Sequence, residues 1–230
     1  MIKNIGKISV IIMGPPGSGK GTQAKLLAEK LSLYQFDSGN YIRKILYDPK
    51  FKNNKDIKRE RLLNEKGGLN TPLWVLKIVR NQTQKISRLG ESVIFSGSIR
   101  TWLEAFGDKK RQGLLALLEK EYGKKNIFIF ALKVPPQESV KRNSKRLTCS
   151  ICKSPILAGS IKDKSCPFCG GRLEVRLDDR KKVISERLRE YQDRTAPILV
   201  EMKKRGYQFV EIDGTPLPYK IHQKILSYFE

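Results

Sequence analysis

The residues best suited to chemistry lie near the start of the chain and past its middle. Gly14-Pro15-Pro16-Gly17-Ser18-Gly19-Lys20-Gly21-Thr22 follows an apolar run, Ile8 to Met13. It opens a segment in which Ala24, Leu27, Ala28 and Leu31 share one helical stripe. Glycines let a backbone curl so that successive N–H groups face phosphate oxygens, and a helix N-terminus adds a favourable dipole. Lys20 supplies a mobile charge for β- and γ-phosphates. A bare strand-to-helix turn does not explain a lysine beside the final glycine. The segment therefore reads as a triphosphate cradle made of Gly14, Pro15, Gly17, Ser18, Gly19, Lys20, Gly21 and Thr22. Gly21 stands where a hydroxyl residue usually meets Mg²⁺, which leaves Thr22 as the nearest hydroxyl.

The second constellation is Cys149-x-x-Cys152 and Cys166-x-x-Cys169, two pairs separated by thirteen residues. Paired knuckles of this spacing present four thiolates to a tetrahedral Zn²⁺, and a full set of protein ligands makes the metal structural. Cys149, Cys152, Cys166 and Cys169 are accordingly the expected zinc ligands, and unlinked thiols of this pattern suit a reducing compartment, the cytoplasm.

The elements that must position these residues follow from pattern. Buried strands are expected at Lys7 to Met13, Ser92 to Phe95, Asn126 to Val134 and Gln208 to Ile212. Helices are expected at Gly19 to Leu31, after Pro136, and from Arg180 to about Lys204, with a polar helical region from Ser38 to Leu89. Strands alternating with helices predict an α/β fold, a parallel sheet flanked by helices with ligands at the carboxyl ends of its strands. Hydrophobic content of 39% and charged content of 30% fit a globular chain, and no apolar stretch has the length of a membrane span. The formal net charge of +23 attracts polyanions, but its spread along the chain favours a generally basic surface over dedicated nucleic-acid binding.

With the phosphate loop, the chain resembles the adenylate kinases, down to the glycine after the lysine. Phe36-Asp37-Ser38-Gly39-Asn40 with Arg43 is similar to their monophosphate-binding segment, and Gly97-Ser98-Ile99-Arg100-Thr101 to their Gly-Phe-Pro-Arg-Thr. The resemblance implies that Ser38, Gly39, Arg43, Gly97 and Arg100 meet AMP, with Arg100 on its phosphate. It implies that Arg142, Arg146, Arg176 and Arg187 converge on the transferred phosphate, Arg142 and Arg146 on the ATP side, and that Arg176-Leu177-Asp178-Asp179 braces a lid. Lys20, Arg100, Arg146, Arg176 and Arg187 are then the catalytic set. The long form of the family carries a zinc-binding lid in the same place as these cysteines. Tyr191 with Thr195-Ala196-Pro197 is similar to the family's helix ending, where the role is packing.

Departures from the family pattern fall on the acceptor side. Asn40 and Ser96 replace aspartates, Ser98-Ile99 replaces Phe-Pro, Ser185 replaces an arginine, and Glu104 stands where a glutamine reads adenine. Glu104 either accepts from a base or points to solvent. Trp74 and Trp102 either line the acceptor pocket or pack, and His222 reads as a structural residue.

The resemblance implies a P-loop core of residues 1–37, 90–140 and 176–230, a helical monophosphate-binding insertion at 38–89 and a zinc-binding lid at 141–175. It implies a cytoplasmic monomer that moves phosphate from ATP-Mg²⁺ to AMP. The alternatives are a kinase for another nucleoside monophosphate, or a nucleotide- or nucleic-acid-binding relative with weak catalysis.

Overall fold

The computed structural model describes residues 6–152, 154–157, 165–175, 179 and 181–230. In chain order, β1 (Ser9–Met13) leads through the glycine loop to α1 (Lys20–Leu31), then β2 (Tyr34–Asp37) and α2 (Ser38–Leu46). Helices α3 (Lys55–Glu65) and α4 (Pro72–Arg88) precede β3 (Val93–Ser96). A short α5 (Trp102–Phe106), a small hairpin of β4 (Gly107–Asp108) and β5 (Arg111–Gln112), and α6 (Leu114–Tyr122) lead to β6 (Ile127–Lys133). Next come α7 (Pro136–Ser144), β7 (Arg146–Cys149), β8 (Pro155–Leu157) and β9 (Leu173–Glu174). The chain closes with α8 (Lys181–Glu190), α9 (Ala196–Lys204), β10 (Gln208–Asp213) and α10 (Pro218–Leu226).

Five parallel strands form the central sheet in the order β10-β6-β1-β3-β2. Both its faces are covered, so β1 is buried at every residue and reads as a continuous apolar run. Alternation along the strand still sorts side chains between two layers. Val10 and Ile12 pack with Ala24 and Leu27 of α1 and Ile221 and Ile225 of α10. Ile11 and Met13 pack on the other face with Val79 and Ile86 of α4, Leu115 and Leu118 of α6, and Met202 of α9.

The expected strands all form, with ends shifted by one or two residues. The sheet also has an edge strand, β2, which no apolar run announces, because Tyr34 and Gln35 are exposed and Phe36 alone is buried. The helix expected from Arg180 to Lys204 is interrupted by a π-helical turn at Tyr191–Thr195. Pro197 has no N–H to continue the α-helical ladder, and the Thr195 hydroxyl instead bonds to the Arg100 carbonyl at 2.9 Å. A separate three-stranded antiparallel sheet, β8-β7-β9, carries the first cysteine pair and lies between α7 and α8 in sequence.

Candidate active site

The glycine loop leaves the carboxyl end of β1 and enters α1 at Lys20. Gly14, Gly17 and Gly19 have φ of 147°, 78° and 91°, which L side chains rarely adopt. A Cβ on Gly14 would sit 2.7 Å from the Leu132 carbonyl oxygen and from Ser18 Oγ, and one on Gly17 would sit 2.5 Å from Asn143 Nδ2. The loop is braced from behind by α7, where the Ser139 hydroxyl donates to the Pro16 carbonyl and Asn143 Nδ2 to the Ser139 carbonyl. The residues fit a phosphate cradle: the conformation is one only glycine holds, and its walls are already packed.

Lys20 lies across this loop, donating from Nζ to the Gly14 and Pro15 carbonyls at 2.7 Å each. Burial pushes its pKa well below the ordinary 10.5, and the charges of Arg100, Arg187 and Arg146 push further against only Asp37. Arg100, Arg187 and Arg146 therefore all act on Lys20, and Asp37 is the one carboxylate that offsets them there. Such an arrangement calls for a ligand carrying several negative charges.

Gly14 and Lys20 line one cavity together with Ser38, Gly39, Arg43, Gly97, Arg100, Glu104 and Arg187. Asp37 caps α2 by accepting from the Asn40 amide at 2.9 Å, which turns Ser38 and Gly39 toward the end of the sheet. Gly97, with φ of 92°, brings the backbone beside Ser38, and a Cβ there would lie 3.1 Å from Ser38 Oγ. Arg100 is aimed by its own loop, Nε donating to the Gly97 carbonyl at 2.6 Å. The Ser98–Ile99 peptide is cis.

Arg146 and Arg187 meet at Asp179, whose side chain is fully buried. Arg146 binds it in fork geometry at 2.8 and 2.6 Å, and Arg187 Nη1 lies 3.6 Å away. Arg142 instead holds the turn after β10, donating to the Gly214 and Thr215 carbonyls at 2.7 and 2.9 Å, with Glu138 on its Nε. Arg176 lies outside the described residues, as do Leu177 and Asp178.

Several side chains resolve the sequence alternatives. Glu104 does not point to solvent. It is 4% exposed, accepts from the Arg100 amide and the Thr101 hydroxyl at 3.0 Å each, and still borders the cavity. Burial raises its pKa, and its hydrogen bonds and the Arg100 charge only partly offset that. Trp74 packs against the core, and Trp102 is an exposed ring stacked on Phe106 at 4.6 Å. Neither lines the cavity. Tyr191 and Thr195, the first and last residues of the π turn, do line it, beyond the packing expected of them. The hydroxyls of Ser96 and Ser98 are buried without a partner among the described residues.

Sequence reasoning missed the wall formed by Asn64, Gly67, Gly68, Leu69 and Asn70. Glu60 holds that wall in place. Its fully buried carboxylate accepts from Asn70 Nδ2 at 3.1 Å, the Thr71 amide at 2.8 Å and the Thr71 hydroxyl at 2.5 Å. Burial works to raise its pKa, but these bonds and Arg59 outweigh it and keep the carboxyl below its ordinary value. The available signal was Asn70-Thr71-Pro72, a helix-start pattern with proline inside the first turn.

The four cysteine sulfurs lie within 4.8 Å of one another, with Cys149 and Cys169 at 3.4 Å and Cys152 and Cys166 at 3.6 Å. Tetrahedral zinc with Zn–S bonds of about 2.3 Å places sulfurs roughly 3.8 Å apart, so the donor set fits that ion. Hydrogen bonds from Ser154 push the Cys152 thiol down to about 6, whereas at Cys169 the bond from the Gly171 amide is outweighed by the neighbouring Cys149 and Cys152 sulfurs, which push it up to about 11. Gly171 passes so close that a Cβ there would lie 2.8 Å from Cys149 Sγ.

A family model described as adenylate kinase matches residues 12–207. An adenylate kinase of Archaeoglobus fulgidus is 33% identical over 211 residues, covering 90% of this chain and 91% of its own. One from Syntrophotalea carbinolica is 32% identical over 225 residues, covering 96% and 97%. One from Clostridium tetani is 30% identical over 224 residues, covering 95% and 96%.

Proposed function

The chain belongs to the adenylate kinase family, and on that premise we propose that it transfers the γ-phosphoryl group of ATP reversibly to AMP, giving two ADP. The reading is carried by the convergence of Lys20 with Arg100, Arg146 and Arg187 at the mouth of the glycine loop. The cavity next to them has room for an acceptor between Ser38, Arg43 and Glu104.

In the transfer, a phosphate oxygen of AMP attacks the γ-phosphorus of ATP and the bond to the β–γ bridging oxygen breaks, leaving ADP on each side. Charge spreads over the oxygens of the moving group, so the protein's work is placement and compensation. Lys20 exchanges its bonds to the Gly14 and Pro15 carbonyls for phosphate oxygens. Arg100 and Arg43 orient the acceptor phosphate, and the planar fork of Arg100 suits a bidentate grip. Arg146 and Arg187, parked on Asp179, are positioned to turn to the transferred group, with Arg176 as a further member of the set. Gly14, Pro15, Gly17, Ser18, Gly19 and Gly21 wrap the triphosphate, and Arg142 sits on the donor side.

Mg²⁺ bound with ATP would supply positive charge that offsets the phosphates. Thr22 is the hydroxyl that would hold it, with the unpartnered Ser96 hydroxyl where the family has a carboxylate. Zinc in the four-cysteine site would hold the knuckles of the lid together. Residues 1–37, 90–140 and 176–230 serve as the core, 38–89 as the acceptor-binding insertion and 141–175 as the lid. We place the protein in the cytoplasm as a monomer; among the described residues no helix is long and apolar enough to cross a membrane.

A second acceptor is favoured by one observation. Glu104 and Ser98 border the cavity where the family has glutamine and phenylalanine, and an ionised carboxylate only accepts hydrogen bonds. The deciding experiment is a coupled assay with ATP-Mg²⁺ against AMP, CMP, GMP and UMP. Turnover led by AMP supports the proposal, turnover led by another monophosphate replaces AMP, and none with any acceptor refutes it.

A further inference from the structure

The chain carries 46 lysines and arginines against 23 acids, far more positive charge than a nucleotide cavity uses. Part of the excess is assembled at one place. Lys109 and Lys110 on the β4–β5 hairpin, Lys124 and Lys125 before β6, and Lys203 and Lys204 at the end of α9 are exposed and form no ion pair among the described residues. The fold joins these three segments. Lys124 Nζ donates to the Arg205 carbonyl at 2.7 Å, and the Arg205 guanidinium stacks over the Phe106 ring at 4.1 Å. The hairpin begins at the next residue, Gly107.

Aromatic rings are set among these charges. Trp102 is 49% exposed and lies against Phe106. Tyr207 lies beneath Lys124 at 5.1 Å, and a groove runs between Phe106, Ala116, Glu119, Lys124, Arg205 and Tyr207. Of the nearby acids, Asp108 is paired with Arg111 at 2.9 Å and Glu201 with Arg205 at 2.8 Å, while Glu119 accepts from the neutral Tyr207 hydroxyl at 2.8 Å and is the one acid on the groove wall among the described residues. The cluster lies at the amino ends of β6 and β10, whereas the phosphate loop leaves the carboxyl end of the parallel β1. The length of β6, about 20 Å, separates the two.

We propose that this surface binds single-stranded nucleic acid while the nucleotide cavity stays open. Cations spaced around a groove follow a phosphate backbone, and the exposed Trp102 ring offers a stacking face to an unpaired base that a duplex keeps inside. This goes beyond the kinase reading and does not depend on it.

The test is fluorescence anisotropy of the full chain with a labelled single-stranded RNA of about 16 nucleotides, with the same sequence as DNA, its duplex, and anionic phospholipid vesicles as further arms. Binding is expected to favour single strands over duplex, with RNA and DNA arms showing which is preferred. It should fall with salt at a log–log slope near −0.7 per phosphate neutralised. K124E/K125E and, independently, K109E/K110E should each weaken binding at least tenfold and flatten the slope by about one unit. W102A should weaken it about tenfold at unchanged slope. Kinase turnover, read in parallel, is expected to stay unchanged in both charge-reversed variants. Absence of binding, binding indifferent to both charge reversals, equal affinity for duplex with no effect of W102A, or binding to vesicles alone would each overturn the proposal.

Discussion

Glu104 gives the sharpest test of how the acceptor side is built. Its carboxylate is 4% exposed and joins the Arg100 amide to the Thr101 hydroxyl, both at 3.0 Å. In Glu104→Ala both groups lose their partner in a closed site, at about 1–3 kcal/mol for each stranded group. The Thr101 hydroxyl still serves the Glu104 amide, so the lower half of the sum, roughly 2–4 kcal/mol, is expected. Glu104→Gln keeps an acceptor for the Arg100 amide and should stay within about 1 kcal/mol near neutral pH. The two should separate further with pH. The folded pKa lies above the ordinary 4.5, so the folded state binds the proton more readily than the unfolded chain does. The resulting stability is complete below the unfolded value and is lost as pH rises through the folded one. The glutamine variant has no such group and should gain on the parent across that window, then run parallel above it. Urea unfolding at a series of pH values between about 4 and 8 reads both effects. A gap between parent and Glu104→Gln that does not change with pH, or an alanine variant that costs less than about 0.5 kcal/mol, would refute the reasoning.

Lys20→Ala should lower turnover by about a hundredfold to a thousandfold, the usual loss for one preorganised charge at a developing anion, with unchanged far-UV circular dichroism. Asp179→Ala leaves Arg146 without its buried fork partner. Because that arginine is partly exposed, the expected loss is about 2–3 kcal/mol, below the range for fully buried pairs, measured by urea unfolding. A strong chelator should release one zinc per chain and lower the melting temperature, and Cys152→Ser should copy that effect without chelator; a protein that carries no zinc after growth in zinc-replete medium would contradict the ligand set.

What the sequence made legible was whatever chemistry forces into residue type. The loop from Gly14 to Gly19 needs glycines because its φ values and walls exclude a Cβ, and β1 and β6 need unbroken apolar runs because both faces of the sheet are covered. The edge strand β2 has only Phe36 buried, so no pattern of period two could form in four residues. The π turn at Tyr191–Thr195, whose first and last residues line the cavity, interrupts a helix whose sequence runs through it without a break in residue type. The wall from Gly67 to Asn70 is shaped by backbone hung on Glu60, whose acidic type in a polar helix reads as a solvated charge until Asn70 and Thr71 close over it.

The electrostatics of the site follow one logic on its two sides. On the donor side, Lys20 is buried among arginines and depressed in pKa, so the unliganded fold carries a cation cluster that costs stability and is relieved by a polyphosphate. Asp179 moderates the cost by holding Arg146 and Arg187 while the site waits. On the acceptor side the chain has given up carboxylates at Asn40 and Ser96 and placed one at Glu104, where hydrogen bonds to the Arg100 segment hold it. The Glu104 carboxylate holds the Arg100 amide and so helps position that arginine. Because the two are joined in this way, Glu104 and Arg100 have to be altered as a pair to see what either contributes.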